Sequence, residues 1–288
     1  MRYRAGITTA LLLVSSSIWD VTSAAAEDLK SLYKEAKTGE YAAPYAEDLA
    51  LAQQLFHRTL TETWNSELRV AWSSLGFEFF DHRERGETFG VLRERGDLTQ
   101  GRGFYVFREG PVNAKMLQIP HGYSDLYTGT LGVDLMLKGG FQVGAWNTVP
   151  RAELDLAHTE ASFFNALTQA FGSLSPSGNT LQIHGFAQGK RTSLAGQQAD
   201  VIVSNGTLVA GDSVQTLDAC LTRGTDYTVL SYPEEVQELG GTTNAQGKAL
   251  RLLGNHGFVH VEMSYPFRKA ATRRKSLRST LSTCLESV

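Results

Sequence analysis

Short apolar runs alternate with amphipathic stretches from residue 112 onward. The apolar runs have the length and β-branched content of strands and cover residues 115–119, 141–145, 180–183, 201–204 and 258–263. Helical periodicity marks the stretches 160–171, 213–221, 245–253 and 270–285. Strands that alternate with helices imply a sheet covered on both faces. We therefore predict an α/β fold with three layers, α/β/α, and a mixed, mostly parallel sheet.

The preceding segment has a different pattern. Residues 27–62 form an amphipathic run that predicts an N-terminal helix. Short aromatic and β-branched segments then predict strands near 68–72, 77–79, 88–91 and 104–106, and the charge run 81–85 predicts a solvated turn. We predict that residues 27–110 form an N-terminal helix and a small β-rich segment packed on an α/β core domain of residues 111–288.

The first 26 residues have the pattern of a secretory signal peptide. Arg2 and Arg4 precede an apolar stretch, and Ala24, Ala25 and Ala26 supply small residues before an acidic pair. We predict a periplasmic or secreted protein, with an uncleaved N-terminal anchor as the alternative. No later stretch approaches the roughly 18 apolar residues of a membrane span, so we expect no integral membrane segment after signal cleavage.

Composition narrows the classes of partner and of site. The chain has 288 residues and a formal net charge of -3, so nothing in its charge calls for a nucleic acid. Cys220 and Cys284 are the two cysteines, and without CxxC spacing they argue against a thiolate zinc site. In an oxidising compartment they are a candidate disulfide, and two buried free thiols are the alternative.

Polar clusters follow three of the predicted strands. His121 and Asp125 come after the strand 115–119, and His184 ends the strand 180–183 in a second His-Gly pair. His260 and Glu262 alternate along the strand 258–263 and so share a face. Ligands of α/β sheets bind beyond the carboxyl ends of strands, so we expect these residues to form a site.

Histidines and carboxylates are the ligands that hydrolytic zinc sites use, with one position left for water. His121, Asp125 and His184 therefore form a predicted metal site, and Glu262 is the predicted general base. A single histidine at a strand end is more often a structural hydrogen-bonding residue. The two His-Gly pairs, with a carboxylate beside the first, favour a functional site.

Further polar residues are predicted to line this site. Arg151, Asp155 and His158 precede the helix predicted at 160–171, with Thr159 as its N-cap. We expect them to bind substrate or to orient a ligand, and a purely structural role is the alternative.

Two groups of cations remain. Lys190 and Arg191 end a Gly-rich loop after His184 and are predicted to hold a substrate carboxylate, with a solvated basic turn as the alternative. The cations near the C-terminus predict a solvated helix face; they are Arg268, Lys269, Arg273, Arg274, Lys275 and Arg278.

The motifs over about residues 112–265 resemble the zinc carboxypeptidase-like superfamily. Within it they look most like N-formylglutamate amidohydrolases and poly-γ-glutamate hydrolases. The resemblance implies an α/β/α fold in which His121, Asp125 and His184 bind zinc and Glu262 promotes the attack of water on an amide. The carboxypeptidase signature is HxxE, whereas this chain has an aspartate four positions after His121.

The expected function is that of an exported metal-dependent hydrolase. It would cleave an amide bond of a small acidic N-acyl amino acid or peptide, so its partner is a small-molecule or peptide substrate. The alternative is a non-catalytic periplasmic binding protein on a degenerate hydrolase fold. GxSxG, P-loop and Rossmann motifs are absent from the sequence, and the oligomeric state stays open.

Overall fold

A computed structural model describes residues 27–288, so the predicted signal peptide, 1–26, lies outside the described residues. Within that range the chain forms ten α-helices: α1 (Leu29–Glu35), α2 (Ala46–Thr61), α3 (Ser66–Ser74), α4 (Thr128–Lys138), α5 (Phe163–Leu174), α6 (Leu194–Gln198), α7 (Asp212–Gly224), α8 (Ala245–Leu252), α9 (Tyr265–Arg273) and α10 (Lys275–Glu286).

The described strands form one nine-stranded sheet in the order β1-β2-β3-β5-β4-β6-β9-β7-β8. Their bounds are β1 (Phe77–Glu84), β2 (Glu87–Glu94), β3 (Phe104–Arg108), β4 (Lys115–Ile119), β5 (Val143–Trp146), β6 (Asn179–Phe186), β7 (Val201–Ser204), β8 (Val229–Ser231) and β9 (Phe258–Ser264). The mixed sheet is confirmed. A parallel majority is not, because four of the eight described pairings are parallel and four are antiparallel.

The sheet separates two apolar cores, which confirms the three layers. Along β3, Phe104 and Val106 face a core built with α1, α4, α7, α9 and α10. Tyr105 and Phe107 face the opposite core, built with α2, α3 and α5, and α8 packs against α5. Alternate side chains of a strand point to opposite faces, so the apolar residues of β3 contact both helical layers.

The three N-terminal strands continue the main sheet through the antiparallel pairing of β3 with β5. The strand predicted at 68–72 is wrong, because this segment lies in α3. The Asn65 side chain accepts a hydrogen bond from the Leu68 N–H and caps the helix. Leu68 and Trp72 are four residues apart and buried on one face, whereas Val70 is 68% exposed.

Three predicted boundaries also change. The single N-terminal helix predicted over residues 27–62 is two helices, α1 and α2, separated by residues 36–45. The helix predicted from residue 160 begins at Phe163, because the Ser162 side chain, rather than Thr159, caps it. Glu160 therefore lies outside the helix and pairs with Lys248 at 3.3 Å. The C-terminal stretch predicted as one helix is two, α9 and α10, which meet at Arg274.

The predicted solvated turn at 81–85 is largely wrong. Residues 81–84 continue β1, and the turn to β2 is made by Arg85 and Gly86, both with positive φ. Pairing with β2 supplies the backbone hydrogen bonds of this charged segment.

A disulfide joins α7 to α10 through Cys220 and Cys284. Cys284 is buried in the core on that side of the sheet. No helix of residues 27–288 has the length and apolar character needed to cross a membrane.

Replacing both cysteines with alanine is expected to lower the free energy of unfolding by about 2–4 kcal/mol. The bond closes a sequence separation of 64 residues, and opening it increases the conformational freedom of the unfolded chain. Chemical denaturation with and without reductant measures the effect. Reductant should shift the wild-type transition and leave the double variant unchanged; an equally stable double variant would contradict the prediction.

Candidate metal centre

Three adjacent parallel strands bring the predicted site residues to one edge of the sheet. The strands β4, β6 and β9 are neighbours, and their carboxyl ends lie on the same side. His121 follows the end of β4, whereas His184 and Glu262 are register partners near the ends of β6 and β9. The strand order thereby juxtaposes residues that are far apart in the chain.

The two faces of these strands differ in polarity. Leu181 and Ile183 of β6 point into an apolar core. Side chains of opposite parity point to the other face, which carries the polar residues Gln118, Gln182, His184, His260 and Glu262. All five are buried, so each polar atom there needs a partner or an opening to solvent.

A tight turn after β4 presents His121 and Asp125 together. The Asp125 N–H donates to the His121 carbonyl at 2.8 Å, which places the two side chains on one side of the turn. Asp125 Oδ2 accepts a hydrogen bond from the Gly185 N–H at 2.8 Å and lies 3.5 Å from His121 Nδ1. Its side chain is only 11% exposed, so the carboxylate is held between the two His-Gly segments.

His121 and His184 face each other through their Nδ1 atoms, 3.1 Å apart. Each ring meets an acceptor on its far side: His121 Nε2 lies 2.9 Å from Asp155 Oδ1, and His184 Nε2 lies 2.7 Å from Gln182 Oε1. With the ring protons on Nε2, both Nδ1 atoms carry lone pairs. Two lone pairs at this distance repel each other, so the contact requires a positive charge, either a proton or a metal ion.

The spacing of these atoms suits a metal ion. Ligand atoms about 2.1 Å from a tetrahedral zinc ion lie roughly 3.4 Å from one another. The two measured separations, 3.1 Å between the Nδ1 atoms and 3.5 Å from His121 Nδ1 to Asp125 Oδ2, are close to that value. His121, Asp125 and His184 each offer a ligand atom, all within 4.8 Å of one another. The donor set therefore fits a divalent cation.

The electrostatics of the histidines differ with their partners. Burial lowers the pKa of His184 well below its ordinary value, and His260 and His121 lower it further. Burial also lowers the pKa of His260, to about 3. Burial acts the same way on His121, but the hydrogen bonds to Asp125 and Asp155 outweigh it and raise its pKa. His184 and His260 are consequently neutral at pH 7.

Glu262 lies beside this cluster in a buried position. Burial and the nearby Asp125 carboxylate raise the pKa of Glu262 to about 8. Among the described residues its Oε2 atom has no hydrogen-bond partner, and His260 Nε2 lies 3.8 Å from its Oε1. With His184 and His260 it forms a second group of closely spaced potential ligands. Its carboxyl group is thus free to take part in proton transfer.

A cavity of about 900 Å³ opens over the cluster. Of the predicted substrate-binding residues, Arg151, His158, Lys190 and Arg191 line it. Asp155 holds His121 and pairs with the Arg151 guanidinium at 2.8 Å. It therefore connects the cavity wall to a candidate metal ligand, which is the orienting arrangement common around metal-bound histidines.

Arg268 is a site residue that the sequence analysis missed. It is buried, lines the cavity and donates a hydrogen bond to the Leu126 carbonyl at 2.9 Å. The prediction of a solvated face is therefore wrong for this residue. Gly185 makes room for it, because a Cβ atom there would lie 2.0 Å from Arg268 Nη1. The available signal was its position one turn into a helix that starts directly at the end of β9.

Glutamines on the polar face were also missed. Gln118 and Gln182 are fully buried and hydrogen-bond to each other at 3.0 Å. Each is the middle residue of a Leu-Gln-Ile triplet. The triplet of Gln182 is followed directly by a His-Gly pair, and that of Gln118 is followed by a proline and then a His-Gly pair. A glutamine inside an otherwise apolar strand is the signal that indicates a buried polar network.

No family model matches the sequence, and no curated protein matches it. The fold is similar to an N-formylglutamate amidohydrolase from Ralstonia eutropha JMP134, with 12% identity, a TM-score of 0.47 and coverage of 65% of this chain and 96% of the amidohydrolase. It is also similar to a protein from Agrobacterium tumefaciens, with 10% identity, a TM-score of 0.42 and coverage of 61% and 88%. A candidate metallopeptidase from Shewanella denitrificans OS217 shows 9% identity, a TM-score of 0.37 and coverage of 77% and 93%.

Gly185→Ala is expected to lower the free energy of unfolding by about 1–3 kcal/mol, the usual cost of overpacking. The added methyl group would collide with the Arg268 guanidinium, which is held by the main-chain carbonyls of Ser264, Leu126 and Phe186. Thermal and chemical denaturation measure the change. Gly189→Ala is the matched control, because a Cβ atom there meets no atom within 4 Å. Equal stability of both variants would show that Arg268 can move without cost.

Proposed function

We propose that this protein is a zinc-dependent hydrolase that cleaves an amide bond of a small acidic N-acyl amino acid or peptide. The observation that carries the proposal is the pair of facing Nδ1 atoms of His121 and His184, with the Asp125 carboxylate beside them. These three residues would hold the ion. When bound, zinc supplies Lewis-acid activation of a water molecule and of the scissile carbonyl group.

Glu262 is the residue proposed to move protons. Its unpartnered Oε2 and its position on the cavity wall allow it to accept a proton from the attacking water. It would then return that proton to the leaving amine. Burial makes this carboxyl group a stronger base than one in water, and a cation nearby would lower its pKa from about 8 toward neutrality. General acid–base catalysis is most effective when the pKa of the catalytic group lies near the working pH.

The cations in the cavity wall support an acidic substrate. Among the described residues Arg268 has no carboxylate within 4 Å, and it is one of the residues that line the cavity. Lys190 is exposed at the cavity wall. A substrate carboxylate would compensate these charges, and an arginine can hold it through two parallel hydrogen bonds.

We also propose that the protein works in the periplasm or outside the cell. The signal-peptide pattern of residues 1–26 is the basis for this. The Cys220–Cys284 disulfide supports it, because such bonds persist in oxidising compartments and are rare in the cytosol.

Purified wild-type protein is expected to retain about one zinc ion per chain, the occupancy of a mononuclear site. His184→Ala should lose it, because one of three ligands is removed. Elemental analysis and circular dichroism together measure metal content and folding. His256→Ala is the control, since His256 is exposed and outside the cavity. Wild-type protein without zinc that still binds an acidic ligand tightly would instead favour a non-catalytic binding protein.

Glu262→Gln is expected to retain zinc but to reduce kcat for amide hydrolysis by about 100-fold or more, the usual contribution of a general base. Release of primary amine from N-formyl and N-acetyl derivatives of glutamate and aspartate measures turnover. Neutral derivatives such as those of leucine test the preference for acidic substrates. Undiminished turnover in Glu262→Gln would remove Glu262 as the base, and equal rates on neutral derivatives would contradict the acidic substrate class.

A further inference from the structure

Four buried amide side chains lie beneath His184: Gln118, Gln182, Gln246 and Asn244, none more than 2% exposed. Gln182 is at their centre. Its Nε2 donates to Gln118 Oε1 at 3.0 Å and to Gln246 Oε1 at 3.1 Å. Its Oε1 faces both the Asn244 amide and His184 Nε2. The orientation of this one amide therefore determines what His184 meets on its far side.

A main-chain carbonyl determines the orientation of the Gln182 amide through Gln246, a residue of α8. Gln246 Nε2 donates to the Leu156 carbonyl at 3.0 Å. A carbonyl only accepts, so the NH2 group of Gln246 must point to Leu156 and its oxygen must point to Gln182. Because an oxygen needs a donor opposite it, the group that Gln182 turns toward Gln246 is its NH2.

The route through α5 leads to the same orientation. Thr168 Oγ1 donates to the Phe164 carbonyl at 2.9 Å, so its oxygen is left to accept from Gln118 Nε2 at 2.8 Å. The oxygen of Gln118 then faces Gln182. This second route again requires the NH2 group of Gln182 on the side away from His184.

Asn244 determines the orientation of the Gln182 amide independently, through the oxygen of that amide. The Gly247 N–H donates to Asn244 Oδ1 at 3.0 Å. A main-chain N–H only donates, so the NH2 group of Asn244 is the one that points to Gln182. The group of Gln182 that faces both Asn244 and His184 is consequently its oxygen.

His184 must then carry its ring proton on Nε2. The Gln182 oxygen lies 2.7 Å from that nitrogen and can only accept. A neutral imidazole can hold its proton on either nitrogen, and the amide network leaves one choice. The lone pair is thereby placed on Nδ1, which faces His121 Nδ1 and the candidate metal position.

We propose that Gln182, held by Gln118, Gln246 and Asn244, is a positioning residue that selects the Nε2–H tautomer of His184 and presents Nδ1 as a metal ligand. This inference rests on the proposed metal function. It also accounts for the difference between the two rings. His121 is oriented by the charged Asp155, whereas His184 is oriented by an uncharged amide, which selects a tautomer without adding charge to a fully buried ring.

Two substitutions by side chains about as long as glutamine distinguish a positioning role of Gln182 from a packing role. Gln182→Met fills the space without an acceptor, whereas Gln182→Glu keeps an oxygen opposite His184 and loses the two amide donors. The ¹⁵N spectra of histidine side chains in the metal-free proteins report the tautomer of His184. The His184→Ala spectrum assigns its signals among the seven histidines. Competition with a chromophoric chelator measures zinc affinity.

Wild-type protein should show the Nε2–H tautomer without metal. Gln182→Met should show a mixture and weaker zinc binding by about 10–100-fold, the usual effect of losing a residue that orients a ligand. Gln182→Glu should retain the tautomer and most of the affinity. If the amide network only filled the interior, the buried carboxylate of Gln182→Glu would reduce zinc affinity at least as much as the methionine of Gln182→Met.

Asn255→Ala is the control for loss of a buried amide. Asn255 donates to the carbonyls of Ser175 and Gly178, near the start of β6 and away from His184. It should lower stability and leave the tautomer and the zinc affinity unchanged.

The possible contrary results are distinguishable. An Nδ1–H tautomer in wild-type protein would overturn the inference, even if the methionine variant did not fold. Wild-type zinc affinity in a folded Gln182→Met, or equal losses in Gln182→Met and Gln182→Glu, would also overturn it. Absence of zinc binding by wild-type protein would refute the proposed function instead, while the spectra of the metal-free protein would still decide the tautomer.

Discussion

Two imidazole nitrogens that face each other without room for an intervening water molecule are the constraint on which the site depends. His121 and His184 are each held on the far side, one by Asp155 and the other by Gln182. Neither ring can turn away without leaving a buried polar atom unpaired, which costs about 1–3 kcal/mol. The repulsion between the facing lone pairs is therefore built into the fold, and a cation at that position relieves it.

This arrangement requires buried polar side chains on one face of the central strands, and most of these side chains have hydrogen-bond partners. Gln118 hydrogen-bonds to a threonine of α5 and to Gln182, and Gln182 also hydrogen-bonds to a glutamine of α8. Among the described residues that line the cavity, the buried atoms without a hydrogen-bond partner are Arg191 Nε, His260 Nδ1 and Glu262 Oε2. An unpaired buried polar atom in a cavity wall can take part in function, whereas other unpaired atoms, such as Thr180 Oγ1 of β6, lie away from the cavity.

Much of the fold could be predicted from local pattern. The strand predicted at 201–204 is β7, because a short β-branched run bounded by polar residues has few alternatives. The segment 68–72 was assigned to the wrong class, since its valine and tryptophan favour strands locally whereas the Asn65 cap and the packing of Trp72 favour a helix. α4 was missed because it is buried almost all round and lacks amphipathic contrast.

The sequence by itself determined which residues could bind a metal, because histidine and carboxylate chemistry and the turns after two apolar strands are local properties. Only the tertiary structure decided that His121 and His184, 63 positions apart, meet through Nδ1. It also decided that Asp155 orients one of them and that Arg268 is buried in the cavity wall. The physical reason is that strand order and helix packing are long-range. The distance between two strand ends depends on which strands pair, and neither motif contains that information.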